Sequence, residues 1–578
     1  MTAEEIRARI LDVVLKNGGH LASSLGAVEL SMALAEVFDP EKDRVVWDVG
    51  HQAYAWKILT GRNERFETLR QMGGLAPFPC PAESAADAAV AGHAGVSISV
   101  ASGLAAARDA LGTGGYVVAV IGDAAIANGT AFEAINNLSA ATEKLIVVLN
   151  DNEMSISRPV GSLSNVLAGL ITNVRYNRVK AAAEAAGHRL RLTFLRGIYH
   201  KVESRIKGLF LGSRFFERFG LRYIGPVDGH NLEKLKAALT VAKEDKRSVV
   251  VHVVTRKGKG YAPAERDPTA YHGVSAAGGS HAPGWSEAFG EALSELARED
   301  ERVVALTAAM KDGTGLVGFA KEFPRRFYDV GISEGHMAAF AAGLAAGGLR
   351  PVVAVYSTFL QRAVDQVMHD VCLPNLPVVF CVDRAGVVGA DGATHQGLYD
   401  VAMLKCLPNL TICQPKDEAD LKELLKEALK RNGPTVIRYP RGRPPQTASA
   451  APRAAEGTRG ASVAIWATGD WLEKAHDVAR RLAEVSPKIA CEVVHARYIK
   501  PFDADLLSRQ RASGMFVASL ENAAASGGLG ESIGADMRFG WPDEFVPHGS
   551  PAELERRYGL DAESVATAIA RTFKHPNT

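Results

Sequence analysis

Runs of β-branched and other apolar residues recur along this chain, each separated from the next by a stretch long enough for a helix. Residues 116–121 (YVVAVI), 145–149 (LIVVL) and 248–254 (SVVVHVV) are of this kind, as are 303–306, 352–356 and 378–382. None shows the strict apolar–polar alternation of a strand with one wet face. A strand buried on both faces needs helices above and below it, and a helix-length connection lets the next strand run parallel. The pattern predicts an α/β architecture of parallel or mixed sheets flanked by helices.

Two low-complexity joints divide the chain. Residues 273–284 (GVSAAGGSHAPG) are rich in Gly, Ala and Ser, and residues 443–460 (RPPQTASAAPRAAEGTRG) in Pro, Ala and Thr. Both read as linkers. Three domains are expected, at 1–284, 285–445 and 460–578, the last with strands at 462–466 and 489–494. A length of 578 residues is compatible with that count. Residues 175–219 differ from the rest, with many Arg, Lys and Phe and little strand signal. They read either as a solvated helical excursion or as a lid over an active site.

Composition excludes several classes of function. Lys plus Arg is 66 and Asp plus Glu is 65, leaving a net charge of +1. No basic excess is present to hold a nucleic-acid backbone, so no nucleic-acid partner is expected. The longest weakly polar run, 337–349, is shorter than the ~18 residues a membrane span needs, and the mixed charges among the first fifteen residues are unlike a signal peptide. The six cysteines (80, 372, 381, 406, 413 and 491) include no CxxC pair, so neither a disulfide framework nor a zinc site is expected. The expected setting is a reducing cytoplasm.

The most specific chemical signal is Gly122-Asp123-Ala124-Ala125, directly after the 116–121 strand, with twenty-eight residues separating Asp123 from Asn152, in the run Asn150-Asp151-Asn152 that directly follows the 145–149 strand. A carboxylate and an amide at the carboxyl ends of neighbouring parallel strands open on one crevice. Such hard oxygen ligands suit Mg²⁺, which completes its shell with phosphate oxygens, water or a backbone carbonyl such as that of Met154. Asp and Asn after strands also form ordinary turns, so spacing alone leaves both readings open.

The GDA…N spacing resembles the metal–diphosphate motif of thiamine diphosphate enzymes, in which the third position is usually Gly. Further blocks extend the resemblance: GGHLASSLG (18–26), WDVGHQAYAWKILTGR (47–62), GHAGVS (92–97), DVGISEGH (329–336), YSTFLQRAVDQ (356–366), DRAGVVGADGATHQG (383–397), RYPRG (438–442), ENAAASGGLG (521–530) and HGS (548–550). In this order they cover nearly the whole chain and resemble the 1-deoxy-D-xylulose-5-phosphate synthases of the transketolase superfamily.

That resemblance implies thiamine diphosphate and Mg²⁺ as cofactors, pyruvate and D-glyceraldehyde 3-phosphate as substrates, and a homodimer with the cofactor between the first two domains of one chain. It implies metal ligation by Asp123, Asn152 and the Met154 carbonyl, and cofactor contacts from His51, His93, Gly95, Gly122, Asp123, Ala124, Ala125, Asn152, Lys257, Glu334 and Phe359. Glu334 matches the glutamate that drives the aminopyrimidine tautomer, and Phe359 the aromatic stacked on that ring. His20, His51, His272 and His395 match active-site histidines able to exchange protons. Arg384 and Arg441 match a phosphate clamp, with Tyr356 and Arg362 nearby. Asp391 would meet an acceptor hydroxyl, and His395 the acceptor. Gly335 stands where the family usually has Gln. Two other readings are a transketolase-like or acyloin-forming relative with another donor or acceptor, and a non-catalytic cofactor-binding paralogue.

Overall fold

The apolar runs form strands, and their alternate residues pack to opposite faces. In a computed structural model describing residues 1–152, 211–276, 284–445 and 461–574, the chain falls into two compact units. The first comprises 1–69 and 74–279; the second comprises 70–73 and 280–578. Met154 and most of 175–219 lie outside the described residues.

The first unit contains a five-stranded sheet among its described residues. Its strands are β1 (Arg44–Trp47), β2 (Val117–Gly122), β3 (Ile146–Asp151), β4 (Arg222–Asp228) and β5 (Val249–Val254), ordered β1-β2-β3-β5-β4 and all parallel. Val118, Val120, Ile146, Val148, Val249 and Val251 pack into one core with Leu30, Trp47, Trp56 and Leu235. Gly122 lies opposite Asn150, so the loops after β2 and β3 leave the sheet at one level.

Among its described residues the second unit holds two sheets. One has β6 (Val303–Thr307), β7 (Phe327–Asp329), β8 (Arg350–Tyr356), β9 (Val379–Asp383), β10 (Thr411–Cys413) and β11 (Thr435–Arg438). The other has β12 (Val463–Ala467), β13 (Cys491–His495), β15 (Phe516–Ala524) and β16 (Met537–Trp541), ordered β13-β12-β15-β16 and all parallel. Strand β14 (Tyr498–Lys500) leaves that second group and joins β10 antiparallel, making the first sheet seven-stranded and mixed.

Both faces of the seven-stranded sheet are buried, as its sequence requires. Val303, Ala305, Val352, Ala354, Val379 and Cys381 enter one core, while Val304, Leu306, Val353, Val355, Phe380 and Val382 enter the other. The second of these cores also takes Ala464, Trp466, Val494 and Val517 from the four-stranded sheet, so the two sheets share one apolar interior.

Candidate active site

In the first unit, the end of β3 is fastened to the residue that follows β5. Thr255 donates its hydroxyl to Asn150 Oδ1 at 2.7 Å and its amide to the Asp151 carbonyl at 2.8 Å. Asp123 follows β2 and is buried. Burial, reinforced by the nearby Asp151 charge, pushes its carboxyl up to about 6, while the Lys257 charge opposes the rise. Lys257 is also buried, and burial brings its ammonium down to about 8 against the pull of Asp123. Its backbone is held by the Gly258 amide, which donates to the Ala22 carbonyl at 2.7 Å.

Ala124 has φ −75° and ψ −35°, an ordinary right-handed conformation, and it precedes the short turn Ala125–Ala127. The backbone therefore makes no demand for glycine at this position. Gly95 differs: its φ is +80°, and a Cβ there would lie 2.6 Å from Asn128. Its amide and that of Ser97 donate to the Asp48 carboxylate at 2.8 and 3.0 Å. Asp48 thus holds the loop carrying half-buried His93 against the start of the helix Gly129–Ala141.

Three of the four expected catalytic histidines meet. The Gly19 and Val274 backbones pair through hydrogen bonds of 2.9 and 2.8 Å, bringing His20 beside His272. Positive φ at Val49 and Gly50 turns the chain after β1 and presents His51. The ring centroids lie 5.7 Å apart for His20–His51, 5.6 Å for His20–His272 and 5.3 Å for His51–His272. Phe78 packs 5.6 Å from His20. The Nδ1 atoms of His51 and His272 are buried with no hydrogen-bond partner among the described residues. Burial, together with the charges of His272, His20 and Lys257, drives His51 well below its ordinary value. Burial, then Lys257, drives His272 down to about 3. Both rings are therefore neutral at pH 7, each offering one donor and one acceptor.

In the second unit, Asp329 at the end of β7 accepts the Ala309 amide at 2.8 Å and the Gly331 amide at 3.0 Å, setting the turn that leads to Glu334. Glu334 begins the helix Glu334–Ala346 and is buried. Its Oε2 has no hydrogen-bond partner among the described residues; the nearest cation is Arg362 Nη1 at 3.7 Å. Burial raises this carboxyl, and Arg362 offsets part of the rise. A Cβ at Gly335 would meet the Gln366 side-chain oxygen at 3.1 Å, so the amide of Gln366 occupies that space.

Phe359 lies 5.7 Å from Tyr356, nearly parallel to it, and 5.6 Å from His395, edge-on. The Arg384 guanidinium covers Tyr356 at 3.8 Å from the ring centre. Arg384 directly follows β9 with φ +58°, a strained conformation for a non-glycine residue. Asp391 Oδ2 accepts from Arg441 at 3.2 Å, and its Oδ1 accepts from Arg70 at 2.7 Å. Asp391, expected to meet an acceptor hydroxyl, thus holds two guanidinium groups. Arg362, expected near the phosphate clamp, has its guanidinium beside Glu334. Sequence reasoning missed Arg70, Asp48 and Phe78. Asp48 stands inside a quoted block and carried a signal; Arg70 lies 321 residues from Asp391 and carried none.

The site residues fit the implied cofactor. The partnerless Glu334 oxygen can share a proton with a ring nitrogen, and the Asp123–Lys257 pair suits a magnesium diphosphate. Among the described residues no three His, Cys, Asp or Glu side chains converge to hold a metal by themselves. A metal held by Asp123 and Asn152 would need further oxygen ligands, such as those of a diphosphate.

A parallel sheet whose strands lead into a buried acid–lysine pair in the first unit, and a buried carboxyl and an aromatic in the connections of the mixed sheet in the second, are consistent with an enzyme of the transketolase class. Family models agree: "Transketolase, pyrimidine binding domain" matches residues 281–446 and "Transketolase, C-terminal domain" matches 453–565. Residues 1–255 match the model described as 1-deoxy-D-xylulose-5-phosphate synthase. The 1-deoxy-D-xylulose-5-phosphate synthase 1 of Geobacter metallireducens is 47% identical over 99% of this chain and 96% of its own length. The 1-deoxy-D-xylulose-5-phosphate synthase 2 of Geobacter sulfurreducens is 46% identical over 98% of this chain and 95% of its own. This chain belongs to the 1-deoxy-D-xylulose-5-phosphate synthase family. Among the described residues no helix is long and apolar enough to cross a membrane.

Proposed function

We propose that this chain condenses pyruvate with D-glyceraldehyde 3-phosphate, releasing CO₂ and 1-deoxy-D-xylulose 5-phosphate, the first step of the non-mevalonate route to isoprenoid precursors. The observation that carries the reading is the buried Glu334 carboxyl, whose Oε2 has no hydrogen-bond partner among the described residues and whose proton affinity burial raises. Thiamine diphosphate, when bound, would supply a carbon nucleophile for the pyruvate carbonyl and a sink for the electron pair left behind when CO₂ departs.

The chain's own groups bind, orient and move protons. Asp123, Asn152 and the Met154 carbonyl would hold Mg²⁺, and Lys257 the diphosphate charge beside it. Gly122, Ala124, Ala125, His93 and Gly95 would form the backbone cradle, and Phe359 would stack on the aminopyrimidine ring. Glu334 holds a proton at its carboxyl and exchanges it with that ring. Neutral His51 and His272, with His20 beside both, can donate to or accept from substrate oxygens without the cost of a buried charge. Arg384 and Arg441 provide guanidinium forks for the acceptor phosphate, with Tyr356 beneath Arg384. His395, edge-on to Phe359, would serve the aldehyde end of the acceptor. Holding donor and acceptor together provides much of the rate.

The reading includes three domains at 1–284, 285–445 and 460–578, a homodimer, and a cytoplasmic setting with neither nucleic acid nor membrane as partner. The test is steady-state turnover of the purified protein with both substrates, following CO₂ and ketose phosphate together. Stoichiometric formation of both, lost when either cofactor is omitted, is expected. CO₂ without ketose phosphate would refute the acceptor, and cofactor binding without either product would refute the enzyme.

A further inference from the structure

The loop that follows β9 carries Arg384, Asp391 and His395, and its base is pinched where the Gly386 and Gly397 backbones pair through two hydrogen bonds of 2.7 Å. That base rests on β15. Gly386 has φ +82°, and a Cβ there would lie 2.3 Å from the Asn522 amide, so the loop backbone lies directly against this side chain. Asn522 is buried and uses both ends of its amide. Oδ1 accepts from the Val387 amide at 3.1 Å and from Trp541 Nε1 at 2.9 Å; Nδ2 donates to Asp470 Oδ2 at 2.8 Å. Asp470 Oδ1 in turn accepts from Gln414, whose own oxygen accepts from Arg438 Nη1 at 2.6 Å. Arg438, fully buried on β11, also donates to Asp400 and to the Asn522 carbonyl.

A second anchor holds the far side of the loop. Gln396 Oε1 accepts from the Val388 amide at 2.7 Å, while its Nε2 donates to the Pro547 carbonyl at 3.0 Å. Near the tip, a Cβ at Gly389 would lie 2.9 Å from the Gly549 oxygen, and one at Gly392 3.0 Å from His548. The loop backbone therefore packs directly against residues 548–551, which follow the last strand of the four-stranded sheet.

We infer that the four-stranded sheet positions the acceptor clamp, with Asn522 as the positioning residue that sets the height of the loop carrying Arg384, Asp391 and His395. The inference rests on the reading of that loop as the phosphate clamp. A guanidinium fork shifted by a fraction of an ångström loses bidentate geometry toward a phosphate, while pyruvate, which has no phosphate, is indifferent to it.

The test is a donor–acceptor swap. Asn522→Asp keeps the acceptor for Val387 but sets one carboxylate against another at Asp470. Asn522→Asp combined with Asp470→Asn restores a donor–acceptor pair at every position. Wild-type enzyme is assayed first with pyruvate and D-glyceraldehyde 3-phosphate; absence of ketose phosphate there refutes the functional reading itself. With the wild type active, Asn522→Asp is expected to raise KM for the phosphorylated aldehyde about tenfold, the equivalent of one buried hydrogen bond. KM for pyruvate should stay within about twofold, KM for unphosphorylated D-glyceraldehyde, which engages His395 but not the guanidinium forks, should rise less than that for the phosphorylated aldehyde, and the double swap should restore the lost affinity. Gln396→Glu, which breaks the second anchor at Pro547, should reproduce the selective rise if Asn522→Asp does not fold. Equal rises for all three substrates, no rise in folded variants, or a double swap that fails to restore would overturn the inference.

Discussion

Replacing Glu334 with Gln separates what this carboxyl does for turnover from what it costs the fold. In the native state Oε2 is buried and accepts no hydrogen bond among the described residues, and Arg362 lies 3.7 Å away, beyond hydrogen-bond reach. An unsatisfied buried polar atom costs about 1–3 kcal/mol, and each unit by which burial raises the carboxyl's pKa costs about 1.4 kcal/mol once it ionises. Glutamine preserves the shape and removes the charge but keeps a polar amide, so the expected net gain is about 1 kcal/mol. Because the folded-state proton affinity is raised, the unfolded chain ionises first. The cost to the wild type is absent below the unfolded value near 4.5, grows as pH rises, and is complete above the folded-state pKa. The stabilising effect of Gln should follow the same course, appearing as an upward shift of about 2 °C in thermal midpoint at pH 8 and none at pH 4. Turnover should fall about 10²–10⁴-fold, the range for loss of a positioned proton-transfer group. Turnover within tenfold of wild type in a folded variant would refute the proton-exchange role. A variant less stable than wild type at pH 8 would refute the account of an uncompensated buried carboxyl.

Further outcomes follow from the same geometry. Arg441→Ala should raise KM for the phosphorylated aldehyde at least about tenfold and leave that for pyruvate within about twofold; Arg70 still holds Asp391, so the fold should persist, and equal changes in both KM values would remove Arg441 from the clamp. The unfolded His272 ring takes up a proton near 6.5 whereas the folded ring resists until about 3, so native stability should fall as pH drops through that window. His272→Asn should therefore lose about 1–2 kcal/mol less between pH 6.5 and 5 in urea titrations, and an unchanged slope would show that this ring is not shielded. Ala124→Gly should lower stability by about 0.5–1 kcal/mol without tightening thiamine diphosphate binding in a fluorescence titration, because position 124 is right-handed; markedly tighter binding would show that the alanine methyl obstructs the cofactor.

The sequence alone determined the α/β class and much of where the chemistry begins. Strands such as β2, β3, β5, β8 and β9 are legible because burial on both faces demands an unbroken apolar run, and that demand is local. Asp123 and Asn152 follow such strands directly, so strand pairing alone puts the loops that begin with them at one edge of the sheet. The turn-bound residues of the quoted blocks are legible for a similar reason, since glycines at positive φ, such as Gly50 and Gly95, mark where backbone must bend or touch backbone. Strand β4 escapes the pattern because Gly225 and Pro226 interrupt it and its residues are only half-buried. Strand β14 escapes because three residues carry no periodicity, and its place beside β10 is set by a sheet 85 or more residues earlier in the chain.

Only the tertiary structure decided the charge state and company of the site residues. Nothing near His51 in sequence says that His20 and His272 will surround it, yet that enclosure is what holds it neutral. Arg70 reaches Asp391 across 321 residues, and Asn522 receives the loop after β9 from a different sheet. Burial and hydrogen bonding depend on where distant segments come to rest. Proton affinities and clamp geometry therefore belong to the folded molecule, while strand identity and turn chemistry can be read along the chain.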